Sequence, residues 1–265
     1  MLGTVGFFIT AGSARAFGPT PDPYADRVIS YTAGAGVSAS YQNASVTLRS
    51  PERITGEFFA FPTVVTPFNP PFAPDEIAGI GAGGSLVVAF DEPVMDDPAN
   101  PFGLDLLVFG NAFYNDRAYP NGRASGVISA SSSGTLEVSQ DGIAWFTIPN
   151  AYPDNLFPTL AYSDLTESQT DVPGNVPSDF TKPVDPSFNA IGTSYLQLLA
   201  AYNGSGGGTG VDISSSGLAF ISFVRVSNSL GQLEIDGFSD VSPVPGPTAF
   251  CLIFPAAALF SRRRR

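Results

Sequence analysis

The chain has 265 residues, 43% hydrophobic and only 14% charged, with 28 glycines, 24 prolines and 22 phenylalanines, a turn-rich β composition with enough apolar bulk for a real core. It has no histidine and one cysteine, Cys251, which excludes the usual imidazole base, the usual zinc ligand, a Ser-His-Asp triad and any internal disulfide. The formal net charge is −12, and with Arg15, Arg262, Arg263, Arg264 and Arg265 set aside, seven basic residues face 24 acidic ones, a balance that repels nucleic acid and anionic lipid.

At the N-terminal end, residues 2–16 are an apolar stretch closing on Ala14-Arg15-Ala16, a small-x-small pattern. Residues 1–16 are therefore expected to be a secretion signal cut after Ala16, although the basic residues that usually precede such a stretch are missing. The body, residues 17–242, shows no sustained helical period. Short alternating apolar runs bounded by Gly, Pro, Asn and Asp predict strands at 37–41, 45–48, 85–90, 104–109, 126–131, 134–139, 144–148, 219–226 and 233–238. Residues 67–76 and 152–188 read as long loops, 193–202 as the one helix, and the glycine run 204–210 as a flexible surface loop. The sharpest local signal is Asp141-Gly142, a hairpin turn between the alternating residues Leu136 and Val138 and the return strand carrying Trp145, which is expected to pack into the core.

Pro243-Val244-Pro245-Gly246-Pro247 then leads into an uncharged, mostly apolar segment, 248–260, followed by Ser261 and the four arginines Arg262, Arg263, Arg264 and Arg265. A helix of about a dozen residues reaches roughly 18 Å, short of the roughly 20 residues that cross a bilayer core. Arginine side chains can snorkel to extend that reach and hold their end on the cytoplasmic side. Residues 243–265 are thus expected to form a short membrane helix that keeps the body outside the cytoplasmic membrane. This order of Val244-Pro245-Gly246-Pro247, apolar helix and arginine cluster resembles the PEP-CTERM sorting signal, with Gly246 standing where that family usually carries Glu. The resemblance implies recognition by an exosortase-like membrane protease, transient residence in the inner membrane, and delivery to the surface or extracellular polymer matrix of a Gram-negative bacterium.

Three segments of the body resemble the discoidin or galactose-binding-like jelly roll: Leu136-Glu-Val-Ser-Gln-Asp-Gly-Ile-Ala-Trp145, Phe220-Ile-Ser-Phe-Val-Arg-Val226 and Leu233-Glu-Ile-Asp-Gly-Phe238. The expected fold is all-β, a jelly-roll-like antiparallel β-sandwich with long loops. Such sandwiches bind sugars, lipids or proteins, so the fold alone does not name a function. Gly83-Gly84-Ser-Leu-Val-Val-Ala-Phe90 and Leu104-Asp-Leu-Leu-Val-Phe-Gly-Asn-Ala-Phe113 also resemble uncharacterised bacterial surface proteins, which often carry Glu where Gly110 stands.

Calcium takes six to eight oxygens from carboxylates, amides and carbonyls on loops. Asp91 and Glu92, with Asp96 and Asp97 beyond them, Asp105 and Asn111 around the next strand, and Asp236 near the last are the candidate calcium ligands, set against a reading as solvated turn acids. Glu92 with Asp236 is the candidate pair for a carboxylate-dependent glycoside hydrolase, a chemistry that needs no histidine. Tyr114, Tyr119, Tyr152, Tyr162, Phe113 and Phe157 are candidates for stacking on sugar rings or for packing, and Arg225 for a structural pair with Glu234 or Asp236. No residue pattern marks a catalytic site. The favoured expectation is a non-enzymatic surface module for carbohydrate, such as extracellular polysaccharide, or other matrix components; the alternatives are a purely structural matrix protein and the hydrolase.

Overall fold

Alternation of apolar and polar side chains builds the long strands, and where it fails the chain makes turns. The computed structural model describes residues 22–128, 134–154 and 156–241, so the signal positions Ala14 and Ala16 and the sorting segment 243–265 lie outside the described residues. In chain order the strands are β1 (Arg27–Thr32), β2 (Ile54–Thr55), β3 (Thr63–Val64), β4 (Ala78–Gly81), β5 (Ser85–Met95), β6 (Leu106–Gly110), β7 (Phe113–Asp116), β8 (Ala124–Ile128), β9 (Gly134–Ser139) and β10 (Phe146–Thr147). Helix α1 (Tyr195–Tyr202) follows, then β11 (Thr209–Val211), β12 (Phe220–Asn228) and β13 (Gln232–Asp240).

Two antiparallel sheets carry the architecture, one of five strands in the order β1-β5-β12-β9-β10 and one of four in the order β11-β6-β13-β4. From β4 to β5 to β6, and again from β11 to β12 to β13, the chain passes from one sheet to the other at each step. Both sheets bury side chains in one cluster: Leu86, Val88, Leu136, Val138, Val224 and Val226 from the first, Ile80, Leu106, Val108, Leu233, Ile235 and Phe238 from the second. Each such side chain contributes about 1.5–3 kcal/mol when fully buried, and this shared layer is what holds the two sheets face to face. The all-β expectation therefore stands, with the central strands at 85–90, 134–139, 219–226 and 233–238 close to their expected places.

Two expected strands are turns of 3-10 helix instead, Ala39–Tyr41 and Ala44–Leu48. Asn43 Oδ1 accepts from the Ser45 N–H at 3.2 Å and from its hydroxyl at 2.7 Å, and the Thr47 hydroxyl donates to the Ala44 carbonyl at 2.9 Å. Such local bonds offer the backbone an alternative to a ladder. Trp145 is also not in the core. It is half-buried on the outer side of the five-stranded sheet, beneath the Arg225 guanidinium at 4.3 Å. Arg225 meets Glu137, its cross-strand neighbour on β9, through two bonds of 2.6 and 2.7 Å rather than Glu234 or Asp236, which belong to the other sheet.

The long stretch 152–188 has neither a named strand nor a named helix, yet it is packed. Phe157, Leu160, Ala161, Leu165 and Val184 join Val64, Val65, Phe68 and Tyr114 with one face of α1 (Tyr195, Leu198, Tyr202) in a second core. Helix α1 starts where Gln197 Oε1 accepts the Ser194 N–H at 2.8 Å and stops at Asn203, which takes a left-handed conformation. Phe180 covers Leu107 and Phe109 on the outer face of the four-stranded sheet. The glycine run is not an exposed flexible loop: residues 205–209 are buried, a β-carbon at Gly206 would collide with the Phe180 ring, and one at Gly208, whose φ is +90°, would press on the Phe109 ring at 3.0 Å. Glycine here is the condition for two aromatic rings to lie against the backbone.

Candidate functional site

The structure does not assemble Asp91, Glu92, Asp105, Asn111 and Asp236 into one calcium site. Asp91 is exposed and paired with Arg27 at 2.8 Å, Glu92 is exposed beside it on β5, and Asn111 is half-buried just beyond β6. Asp105 and Asp236 are both fully buried on the four-stranded sheet, but Asp105 precedes β6 while Asp236 lies beside Gly110 at its far end. Five residue steps along a strand separate those points by about 16 Å. Of the pair considered for hydrolysis, Glu92 is exposed on β5 of the five-stranded sheet, whereas Asp236 is buried on β13 of the four-stranded sheet. A side chain at Gly110 has no room, because a β-carbon there would collide with the Asp154 carboxylate.

Two carboxylate clusters form in place of the expected one. The first surrounds Asp105. Its Oδ1 accepts from the Asp97 N–H and from Asn100 Nδ2, each at 3.0 Å, and its Oδ2 accepts from the Ile213 N–H at 3.1 Å. Burial pushes its carboxyl up, the hydrogen bonds work against that, and the charge of Asp96 adds to the rise. One carboxylate oxygen from each of Asp96, Asp105 and Asp212 lies within 4.8 Å of the other two. Asp212, which caps the 3-10 turn after β11 through the Ser214 N–H, carried no motif that would have drawn attention to it.

The second cluster lies at the other end of β6. Both Asp236 oxygens accept from the Glu52 N–H, at 3.1 and 3.3 Å. Glu76 accepts from the Thr55 hydroxyl at 2.5 Å and from the Gly56, Phe72 and Ala73 N–H groups at 2.8–3.0 Å, which fixes its carboxylate as a hub of the 52–76 segment. Burial first, then the charge of Glu52, hold Asp236 well above the usual carboxylate range, and burial with the charges of Glu76, Asp75 and Glu57 pushes Glu52 up to about 7. Glu52 lines an open polar cleft of about 210 Å³ with Asn43, Ser45, Val46, Arg49 and Asp75.

The same 52–76 segment carries aromatic rings that the sequence reading did not single out. Phe58, Phe59, Phe61 and Phe72 are all exposed, Phe61 to 75%. Phe59 and Phe72 are parallel at 5.9 Å between centroids, and Phe58 meets Phe59 edge-on at 5.0 Å. The Tyr41 hydroxyl donates to the Phe72 carbonyl at 2.9 Å, which ties the 3-10 turn Ala39–Tyr41 to the segment that carries these rings. Of the aromatics proposed from sequence, Tyr114 and Phe157 are buried in the second core, whereas Tyr119 and Tyr152 are exposed elsewhere. The signal that was available is the run Phe58-Phe59-Ala60-Phe61, four residues too apolar for the tip of a hairpin loop unless something covers them.

Neither the protein-family models nor the characterised proteins compared with this sequence give a match. Among the described residues no helix is long and apolar enough to cross a membrane.

Proposed function

We propose that the chain is an exported bacterial protein of the cell surface or extracellular matrix, sorted through residues 243–265 by an exosortase-type protease, and that its body is a non-catalytic carbohydrate-binding module. The observation that carries the binding role is the cleft of Asn43, Ser45, Arg49, Glu52 and Asp75, with the exposed Phe58–Phe59–Phe72 platform carried on the same 52–76 segment as Glu52 and Asp75. Amide, hydroxyl, guanidinium and carboxylate groups exchange hydrogen bonds with sugar hydroxyls, while an exposed aromatic face covers the apolar side of a pyranose ring. The export role is supported by the order of proline motif, apolar segment and arginines. The sandwich is proposed to be a jelly roll of the galactose-binding-like kind, supported by strands that alternate between two sheets and by the three matching segments, which fall on β9 to β10, β12 and β13.

A glycan array probed with purified full-length protein, followed by calorimetry on each hit, tests this. Phe59→Ala and Arg49→Ala should each weaken binding about tenfold or more, equal to about 1.4 kcal/mol, while leaving the melting temperature nearly unchanged. Silence across acidic and neutral glycans would remove the binding claim and leave the structural matrix protein. Glu52 favours a second reading, since a carboxyl titrating near 7 beside a second cleft carboxylate is suited to acting as an acid on a glycosidic oxygen. Release of reducing ends from a bound glycan, lost in Glu52→Gln, would make the module a glycoside hydrolase.

A further inference from the structure

The loop between β5 and β6 ends in an arrangement that hydrogen bonding within the protein leaves incomplete. Asn100 is only 6% exposed, and its side-chain oxygen is buried without a hydrogen-bond partner, while its nitrogen donates to Asp105 Oδ1 at 3.0 Å. A buried amide oxygen left in this state destabilises the fold. The two ends of an amide differ by a half-turn about one bond. That half-turn would set the Asn100 oxygen where its nitrogen stands, 3.0 Å from the Asp105 oxygen. Two oxygens that close repel each other unless a cation lies between them. One carboxylate oxygen from each of Asp96 and Asp212 already lies within 4.8 Å of an Asp105 oxygen, and none of the three acids takes part in an ion pair among the described residues.

We propose that Asp96, Asp105 and Asp212, together with the side-chain oxygen of Asn100, form a calcium site. Calcium holds oxygens at 2.3–2.6 Å, so ligands on opposite sides of one ion stand about 4.6–5.2 Å apart. Three carboxylate oxygens within 4.8 Å of one another fit inside that shell. The donors are all hard oxygens, three anionic and one neutral, which selects calcium or magnesium over softer metals. The irregular loop supplies no octahedral frame, and three carboxylate oxygens this close together leave little room for the waters magnesium retains, which favours calcium.

The place of the site in the fold gives the ion a task. The Asp96 N–H donates to the Ala219 carbonyl at the start of β12, in the five-stranded sheet, at 3.1 Å. The Asp105 N–H donates to the Val211 carbonyl of β11, in the four-stranded sheet, at 2.9 Å. Asp212 opens the turn that leads from β11 towards β12. One ion would therefore clamp both sheets together at the end where the β5–β6 loop crosses between them.

The test uses the full-length chain stripped with chelator and titrated with calcium chloride and then magnesium chloride by calorimetry, with thermal unfolding in parallel. The expected result is one calcium per chain, weaker magnesium binding, and an unfolding equilibrium shifted about 100-fold when free calcium is 100 times the dissociation constant. Neither Asp96 nor Asp212 is buried, so Asp96→Asn and Asp212→Asn should preserve the fold while each weakens calcium binding about tenfold or more. Asp91→Asn, at an acid outside the cluster, should bind as the parent does. Asp105 is left intact because its carboxylate also holds three hydrogen bonds of the loop. Absence of calcium binding in the parent chain would overturn the proposal, as would binding that survives Asp96→Asn combined with Asp212→Asn.

Discussion

The packing of Phe180 against the glycine run can be tested by a double-mutant cycle. Phe180 is 1% exposed, lies edge-on to Phe109 at 5.4 Å and has the Arg53 guanidinium over its ring at 4.1 Å. Phe180→Ala removes all of this, and a fully buried phenylalanine truncated to alanine costs about 3–5 kcal/mol. Gly206→Ala inserts a methyl into the space of the same ring, an overpacking that costs about 1–3 kcal/mol. Gly206 is not among the glycines at positive φ, so alanine meets no backbone penalty there. In the Phe180→Ala background the new methyl enters a cavity, and its cost should vanish or become a gain of about 0.4–1 kcal/mol from reduced freedom of the unfolded chain. The two changes should thus couple by about 1–4 kcal/mol, which urea unfolding of the four proteins measures directly. Strict additivity, or a Gly206→Ala protein as stable as the parent, would refute the claim that these glycines exist to admit the ring.

Other consequences concern pH and the outer face of the five-stranded sheet. Burial pushes both Glu52 and Asp240 up to about 7. A carboxyl whose folded pKa exceeds its unfolded value binds more protons when folded, so its stabilising effect is complete below the unfolded pKa and is lost as pH rises through the folded one; the melting temperature should therefore fall between about pH 5 and pH 8. Glu52→Gln and Asp240→Asn should each flatten that fall; a melting temperature that climbs across the interval would count against the assignment. Arg225→Met removes the guanidinium from Trp145, the only tryptophan of the chain, and breaks the paired bonds to Glu137. Its fluorescence should shift to longer wavelength with a stability loss of about 1 kcal/mol, and unchanged emission would mean that the stacking does not persist in solution.

Side-chain alternation made the central strands legible in the sequence. Leu136 and Val138, Val224 and Val226, and Leu233 and Ile235 point inward at every second position, and the strands carrying them lie where that spacing puts them. Strand β4 escaped because Ala78-Gly79-Ile80-Gly81 has almost no side chains to alternate; at Gly79 a β-carbon would approach Val37 to 2.8 Å. Strand β1 escaped because an edge strand buries little, and only Val28 and Tyr31 lean on the core. Residues 45–48 alternate as a strand would, but the Asn43 cap is a local bond of the kind that lets a turn win over pairing. Trp145 was misplaced because a hairpin signal fixes a turn without saying which face of the returning strand meets the core. The candidate sites were least legible of all. Asp105 was visible, but Asp212 is brought to it by the pairing of β6 with β11, strands about a hundred residues apart in the chain, and no local pattern encodes that meeting.

The pairing of β6 with β11 and β13 places the two acidic clusters at opposite ends of β6, and this sets a limit on how they can influence each other. About 16 Å of strand lies between Asp105 and Asp236, so the two clusters share no ligand and no hydrogen bond. A cation gained or lost at Asp105 can act on Glu52 only as a distant charge, not through contact. Mechanical coupling is limited in the same way, because β6 is held between β11 and β13 along its length and cannot shift without unzipping a ladder. Chelating calcium should thus lower the melting temperature while leaving the affinity for any glycan bound at the Glu52 cleft within about twofold, a difference of about 0.4 kcal/mol. An affinity that falls tenfold or more on chelation would show that the ion shapes the cleft. The sandwich would then be acting as one switch rather than as a clamp at one end and a receptor at the other.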